Sequence, residues 1–147
     1  SQKKVLLTKL DKHFGKKLKG KTLAVWGLAF KPRTDDMREA PAVPIIEGLL
    51  ARGAHVRAFD PEAKAVAKGI FKNRIHYARS AYDALAGADA LVIVTEWNEF
   101  REPDYTRMRK LMRAPLVFDG RNLYDLEIMR TFGFTYYPIG RQPVTAG

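Results

Sequence analysis

Ala90-Leu-Val-Ile-Val-Thr95 is the clearest strand in the sequence, because it is apolar up to its last residue and short enough for a buried strand. Two further runs of this kind lie along the chain, Thr22-Leu-Ala-Val-Trp26, bounded by glycines, and Pro115-Leu-Val-Phe118. Strands without polar alternation are typical of parallel sheets that are covered on both faces. The three runs therefore predict the centre of a parallel sheet.

Helical segments separate the strands. Between Pro41 and Arg52, apolar residues recur on one helical face, and Gly53 is a natural stop. Strands alternate with helices in this way about six times, which is the signature of an α/β domain. We therefore predict a doubly wound, mainly parallel Rossmann-like sheet of about six strands, preceded by an amphipathic helix. The predicted strands are 22–26, 55–59, 75–78, 90–95, 115–118 and 134–138, and the predicted helices are 1–20, 41–52, 61–68, 81–86, 105–112 and 123–132.

The composition is that of one globular domain. The 147 residues are 46% hydrophobic and 29% charged, a mixture that supports a core and argues against disorder. No apolar run approaches the roughly 18 residues that a membrane span needs, and no apolar stretch follows the lysine-rich N-terminus as in a secretory signal. Cysteine is absent, so this sequence has no disulfide, thiolate metal ligand or cysteine nucleophile. We expect a cytoplasmic protein.

The net charge of +10 is concentrated near the N-terminus. Eight lysines lie from Lys3 to Lys21 against one acid, Asp11, so this segment supplies +7. Such a segment can be a membrane-surface or nucleic-acid-binding arm, but we favour a helix that packs on a neighbour and leaves its lysines in water. Its stripe needs a partner surface, inside or outside this chain. The stripe has a period near 3.6 and consists of Leu6, Leu7, Leu10, Phe14 and Leu18.

Ligands of such sheets bind outside the carboxyl ends of the strands, so the loops after the first, fourth and fifth strands are candidates for a site. The first loop, 27–41, lacks the three glycines of a dinucleotide-binding turn, so an independent NAD site of the usual kind is not expected. Its cations Lys31, Arg33 and Arg38 precede a helix N-terminus, where phosphate is favoured, and Phe30 offers a face for stacking. The alternative is a helix-capping loop with surface salt bridges.

The loop after the fifth strand, Phe118-Asp-Gly-Arg-Asn122, is the second candidate. Gly120 permits a tight turn, and Arg121 projects from the sheet edge with a planar fork that suits phosphate oxygens. Asp119 could orient Arg121; the alternative is an Asp–Arg pair that only staples the loop. In the loop after the fourth strand, Thr95-Glu-Trp-Asn-Glu-Phe100, the first two residues can bind polar ligand groups, but the aromatic residues favour a structural loop.

Other kinds of site have little support in the sequence. Asp60 ends a strand, as does the ribose-binding acid of dinucleotide-binding folds, but without the glycine fingerprint we interpret it as a turn cap. His13, His55 and His76 do not have metal-ligand spacing. No serine is paired with a visible base, so a hydrolytic triad is not supported.

Several segments together resemble the C-terminal domain of the UDP-glucose and GDP-mannose dehydrogenases. The longest is Gly27-Leu-Ala-Phe-Lys-Pro-Arg-Thr-Asp-Asp-Met-Arg-Glu-Ala-Pro41, which resembles the signature that opens that domain. Within the family, Thr34-Asp-Asp-Met-Arg38 and Thr95-Glu-Trp97 look most like the UDP-glucose branch. The similarity covers nearly the whole chain. The other matching segments follow in the family's order: Ala58-Phe-Asp-Pro61, Val94-Thr-Glu-Trp97, Phe118-Asp-Gly-Arg-Asn122 and Gly133-Phe-Thr-Tyr-Tyr-Pro-Ile-Gly140.

The resemblance implies part of an enzyme that oxidises the C6 alcohol of UDP-glucose twice, consuming two NAD and yielding UDP-glucuronate. It implies that Phe30 and Lys31 touch the UDP-sugar, that Arg121 reaches the nucleotide, and that Arg38 approaches the NAD pyrophosphate. Residues 1–20 would be the end of the family's central connecting helix, which pairs two subunits into a homodimer, and residues 21–147 the UDP-binding domain.

The resemblance also shows what this sequence lacks. The family's N-terminal NAD-binding domain, its cysteine nucleophile and the lysine and aspartate that assist it match nothing here, so we assign no catalytic residue and expect this chain alone to be inactive. The alternatives are a related dehydrogenase acting on GDP-mannose or UDP-N-acetylmannosamine, and a basic module that binds anions or nucleic acid. A complete small NAD enzyme is disfavoured by the single glycine at Gly27 and the absent nucleophile. We expect neither a nucleic-acid nor a membrane partner, and no metal.

Overall fold

A six-stranded parallel sheet forms the centre of the computed structural model, which describes residues 2–140 and 143–146. All five strand pairings are parallel, and the strand order is β3-β2-β1-β4-β5-β6. The predicted doubly wound, Rossmann-like sheet preceded by a helix is therefore confirmed. The strands are β1 Thr22–Trp26, β2 His55–Phe59, β3 His76–Tyr77, β4 Ala90–Ile93, β5 Leu116–Asp119 and β6 Thr135–Pro138. The helices are α1 Gln2–Phe14, α2 Ala42–Ala51, α3 Lys64–Phe71, α4 Ala81–Leu85, α5 Tyr105–Leu111 and α6 Leu126–Thr131, with short 3-10 helices at Gly15–Leu18 and Asn98–Phe100.

Two helices begin three residues later than predicted, because an aspartate side chain holds the chain in a turn before α3 and caps α6. Asp60 accepts hydrogen bonds from the amides of Glu62 and Ala63, which holds the chain in a turn before α3. Asp125 accepts from the amides of Glu127 and Ile128 and so fixes the start of α6. Hydrophobic periodicity does not distinguish such a capped turn from the first turn of a helix.

The side chains of successive strand residues point to opposite faces of the sheet, and each face has its own core. On one face Leu23 and Val25 pack with α1, α2 and α3. On the other face Ala24 and Trp26 pack with α4, α5 and α6. Both faces are covered, which explains the lack of polar alternation in the strands. None of the described helices is long and apolar enough to cross a membrane.

The apolar stripe of α1 has its partner inside this chain. Leu6, Leu10 and Leu18 are at most 2% exposed and belong to the same core cluster as α2 and the sheet. The Asp11 carboxylate accepts hydrogen bonds from Nε and Nη2 of Arg52, at 2.7 and 2.9 Å, which ties α1 to the end of α2. Of the two alternatives left open by the sequence, a partner surface inside this chain or outside it, the structure shows the first, because these leucines are buried within the chain.

Lysines of α1 lie on the outer side of the helix, as predicted: Lys3, Lys4 and Lys12 are exposed. Near the end of α1, Nδ1 of His13 lies 3.0 Å from the Tyr137 hydroxyl of β6. The basic segment is therefore part of the folded domain and not a detached arm.

Beyond β6, Val144 forms an antiparallel bridge with Tyr136 and is 3% exposed. This bridge extends the edge of the sheet by a short return of the chain. Arg141, Gln142 and Gly147 lie outside the described residues.

Candidate functional site

The strand order reverses between β1 and β4, which are hydrogen-bonded neighbours although β1 is followed in the chain by β2. Ligands of open α/β sheets bind at such a switch point, outside the carboxyl ends of the strands. Three of the loops at this carboxyl edge are the β1 loop (27–41), the β4 loop (94–97) and the β5 loop (120–125). The site is therefore built from the three loops that the sequence singled out.

Gly27 lets the β1 and β4 loops pack directly against each other. Its φ is +100°, and a Cβ atom at this position would lie 2.5 Å from the backbone nitrogen and side chain of Thr95. Thr95 is 1% exposed, and its hydroxyl donates a hydrogen bond of 2.7 Å to the carbonyl of Ala29. Thr95, predicted as a possible ligand contact, thus joins two loops instead. The space at Gly27 is filled by protein and does not form a pyrophosphate cradle.

Asp60, at the end of β2, joins the β1 and β4 loops to the start of α3. It is 4% exposed. One carboxylate oxygen, Oδ2, accepts from the amides of Leu28 and Ala29 and from the Trp97 indole, at 2.8 to 3.1 Å. The other, Oδ1, forms the cap at Glu62 and Ala63. The sequence predicted the cap but missed the contacts with the β1 and β4 loops.

The tip of the β1 loop presents an aromatic ring and a cation to solvent. The amide of Phe30 donates a 2.7 Å hydrogen bond to the carbonyl of Asp36, which closes the loop. The ring of Phe30 is 50% exposed, which is unusual for an aromatic residue in a domain with a well-filled core. The Lys31 amine lies 5.9 Å from the ring centroid. The two side chains form one exposed surface that is apolar and positively charged.

Arg38 lies farther along the β1 loop. Its side chain is 90% exposed and forms a salt bridge of 2.8 Å with Asp36. Hydrogen bonds from Arg38 lower the pKa of Asp36 to about 2. Arg38 borders a groove of about 560 Å³ with Val66 and Ile70 of α3. The charge of Lys31 also contributes to the lowered pKa of Asp36, so Arg38 and Lys31 lie near the same carboxylate of the β1 loop.

The backbone of the β5 loop is held by a buried carboxylate. Asp119 is fully buried, and its oxygens accept from the amides of Arg121 and Leu123 and from the hydroxyl of Tyr136, at 2.7 to 2.8 Å. The side chain of Asn122 forms two further hydrogen bonds with the backbone of Ile139. These contacts fix the position from which the Arg121 side chain extends.

The Arg121 guanidinium is bound by Glu96 and not by Asp119. Both Nε, at 2.7 Å, and Nη2 donate to Oε2 of Glu96 in the β4 loop. Asp119 was expected to orient the side chain or to pair with it, and that expectation is corrected: Asp119 holds only the backbone of Arg121. Sequence reasoning missed Glu96 as the partner, although its place directly after the β4 strand was a usable signal.

Phe30, Lys31 and Arg121 all lie at the carboxyl edge, on loops of strands that are two positions apart in the order β1-β4-β5. Neighbouring strands are about 4.8 Å apart, so the two loops start roughly 10 Å from each other. A nucleoside diphosphate can span such a distance. Chemically, the site offers an aromatic face and two cations, which suits an aromatic base and phosphate groups.

Comparison with known proteins agrees with this chemistry. A family profile described as the UDP binding domain of the UDP-glucose/GDP-mannose dehydrogenase family matches residues 24–126. The chain is 48% identical over 145 residues to a UDP-glucose 6-dehydrogenase of Pseudomonas aeruginosa, covering 95% of this chain and 32% of that protein. It is 43% identical over 127 residues to one of Bacillus subtilis, covering 86% of this chain and 28% of that protein. The chain thus spans about a third of the length of these curated relatives.

Solved structures show the same fold. A UDP-glucose dehydrogenase from Pyrobaculum islandicum superimposes with a TM-score of 0.73 at 32% identity, over 83% of this chain and 26% of that chain. An NDP-N-acetyl-D-galactosaminuronic acid dehydrogenase from Methanosarcina mazei superimposes with a TM-score of 0.76 at 25% identity, over 95% of this chain and 29% of that chain. Both are similar to this chain over only part of their own length.

Proposed function

Because the chain belongs to the UDP-glucose/GDP-mannose dehydrogenase family, we propose that it is the UDP-sugar-binding part of an NAD-dependent UDP-glucose 6-dehydrogenase. The observation that carries this proposal is the placement of Phe30, Lys31 and Arg121 at the carboxyl edge next to the switch point. In the proposed complex, Phe30 and Lys31 contact the UDP-sugar and Arg121 binds the nucleotide through its phosphates.

The complete reaction converts UDP-glucose, two NAD and water into UDP-glucuronate and two NADH. Covalent catalysis of such an oxidation by a cysteine requires a thiolate. This chain contains no cysteine, so its proposed role in the reaction is to bind and orient the substrate. We propose that the chemistry is performed by a further domain, which also binds most of the NAD.

NAD itself fits this chain poorly. The side chain of Thr95 occupies the space where a dinucleotide-binding turn would leave room for a pyrophosphate. The exposed guanidinium of Arg38 can supply one cationic contact to the cofactor from the side of the β1 loop. We therefore propose Arg38 as an auxiliary NAD contact.

A titration tests the substrate proposal. UDP, UDP-glucose and NAD are added to this chain, and the amide signals of the three loops are followed by NMR. Arg121→Ala is expected to weaken UDP binding about tenfold or more, because charge-assisted hydrogen bonds to phosphate are lost. Lys31→Ala should have a smaller effect, since its amine is exposed and screened.

Arg74→Ala is the matched control for Arg121→Ala. Arg74 also pairs with a glutamate, Glu47, but the pair lies away from the three loops. Its removal should leave UDP affinity unchanged. The proposal is wrong if UDP shifts amides away from the carboxyl edge, or if Arg121→Ala binds UDP as the wild type does. Stronger binding of GDP than of UDP would favour the GDP-mannose branch.

The assembly and location of the whole protein are further parts of the proposal. A homodimer through the α1 region would use its outer surface, where Val5, Thr8 and Lys12 line a groove of about 480 Å³ with Tyr137. Sedimentation of the chain at several concentrations tests for this dimer. The cytoplasmic location expected from the sequence is tested by cell fractionation.

A further inference from the structure

We infer that Glu96 is a positioning residue, which holds the Arg121 guanidinium in the orientation that receives the diphosphate of the ligand. This inference rests on the proposed function of the carboxyl edge and adds a residue to it. The resemblance assigns a role to Arg121 and none to Glu96.

The contact leaves part of Arg121 available. A guanidinium carries five N–H donors in a rigid plane. Glu96 takes one donor from Nε and one from Nη2, both through a single carboxylate oxygen, Oε2. Two of the three remaining donors, one on Nη1 and one on Nη2, form the other edge of the fork, which is the number that bidentate recognition of a phosphate group requires. Glu96 therefore occupies one edge of the guanidinium, and among the described residues none binds the other edge.

Glu96 is itself held on both sides along the chain. The residue before it, Thr95, is buried and bonded to the carbonyl of Ala29. The residue after it, Trp97, donates its indole N–H to Asp60 at 3.1 Å. Side chains of an ordinary surface pair lose freedom to form the pair, which limits its value. Here both chain neighbours of Glu96 are held by hydrogen bonds, which restricts the segment that carries its carboxylate.

Arg121 needs such a support because only its backbone is held by Asp119. Its long side chain would otherwise sample many rotamers, and a ligand would have to order it on binding. The pair is partly shielded from water, with side-chain exposures of 37% for Arg121 and 21% for Glu96. The contact with Glu96 thus reduces the conformational entropy of the Arg121 side chain already in the protein without ligand.

A competing role for Glu96 makes the opposite prediction. Its negative charge lies near the expected position of the diphosphate, and it occupies donors that phosphate could use. If this competition dominated, Glu96 would weaken UDP binding, and its removal would strengthen it. Two substitutions separate the roles, because Glu96→Gln keeps an acceptor oxygen for Arg121 and removes the charge, whereas Glu96→Ala removes both.

The test measures UDP affinity of the chain by NMR titration. We expect Glu96→Ala to bind UDP about tenfold more weakly than the wild type, and Glu96→Gln to retain affinity within about threefold. The Nε–H resonance of Arg121 should be visible in the wild type and in Glu96→Gln and lost through solvent exchange in Glu96→Ala. Glu47→Ala, which breaks the pair with Arg74, is the matched control and should change none of these values.

The double variant Glu96→Ala/Arg121→Ala distinguishes positioning from general damage to the fold. If Glu96 acts through Arg121, the double variant binds UDP no more weakly than Arg121→Ala alone. Unchanged or tighter UDP binding by Glu96→Ala, or an additive loss in the double variant, overturns the inference. If Arg121→Ala itself leaves UDP binding intact, the proposed function fails instead, so the two failures are distinguishable.

Discussion

At the scale of the residue, Gly27 occupies a position that requires glycine for two reasons, its backbone conformation and the lack of space for a side chain. It has a backbone φ of +100°, and it lies against Thr95 with no space for a Cβ atom. The atoms in contact belong to a buried threonine and to the backbone, neither of which can move aside without breaking the bond to Ala29. The close packing of the β1 loop against the β4 loop therefore depends on this glycine.

We expect Gly27→Ala to lower the free energy of unfolding by about 2 kcal/mol or more, because it adds backbone strain to a steric clash. Gly69→Ala is the control: this glycine lies inside α3 with open space around its Cβ position, so alanine should stabilise the helix by about 0.5–1 kcal/mol. Urea unfolding followed by circular dichroism measures both. Equal stabilities of the two variants would contradict the proposed close packing of Gly27 against Thr95.

At the scale of the element, α1 is bound to the domain through its apolar stripe. Leu10 is fully buried, as is Leu6 one turn earlier, and both pack in the cluster that contains α2. Leu10→Ala should therefore lower the free energy of unfolding by about 3 kcal/mol, the usual cost of emptying such a position. Lys3→Ala, on the exposed side of the same helix, should change it by less than about 0.5 kcal/mol.

Chemical denaturation of these two variants decides whether α1 belongs to the domain. A Leu10→Ala variant as stable as the wild type would show that α1 is dispensable to the fold. The sequence already contained the stripe, since its period is local. It did not reveal what covers the stripe, because the partner residues in α2 and the sheet are distant in sequence.

At the scale of the whole molecule, the elements were largely predictable and the contacts between loops were not. The bounds predicted for β1 and β2 match the structure, because glycines and the Asp60 turn mark their ends. The pair of Arg121 with Glu96 joins residues 25 positions apart. It depends on β4 and β5 being neighbours, which composition and periodicity do not specify. The sequence therefore predicted which loops lie at the carboxyl edge but not the bonds that link them, and the ligand contacts of Phe30, Lys31, Arg38 and Arg121 stay predictions.

The proposal also makes a prediction for the molecule as a whole: this chain alone should not reduce NAD in the presence of UDP-glucose. It contains no cysteine for a thiolate nucleophile, and Thr95 fills the space at Gly27 where a dinucleotide-binding turn would leave room for the cofactor's pyrophosphate. The absorbance of NADH at saturating UDP-glucose and NAD measures this. Steady NADH formation by the purified chain would contradict the proposal that a further domain performs the oxidation, even if UDP binding is confirmed.

Asp60 links three segments of the candidate site and therefore affects how these segments unfold locally. A single carboxylate accepts hydrogen bonds from the start of the β1 loop, from Trp97 and from the turn before α3. These segments cannot open one after another without leaving a buried negative charge short of partners, which is costly. Hydrogen exchange should therefore find the amides of Leu28, Ala29 and Ala63 opening in a single event with a common free energy.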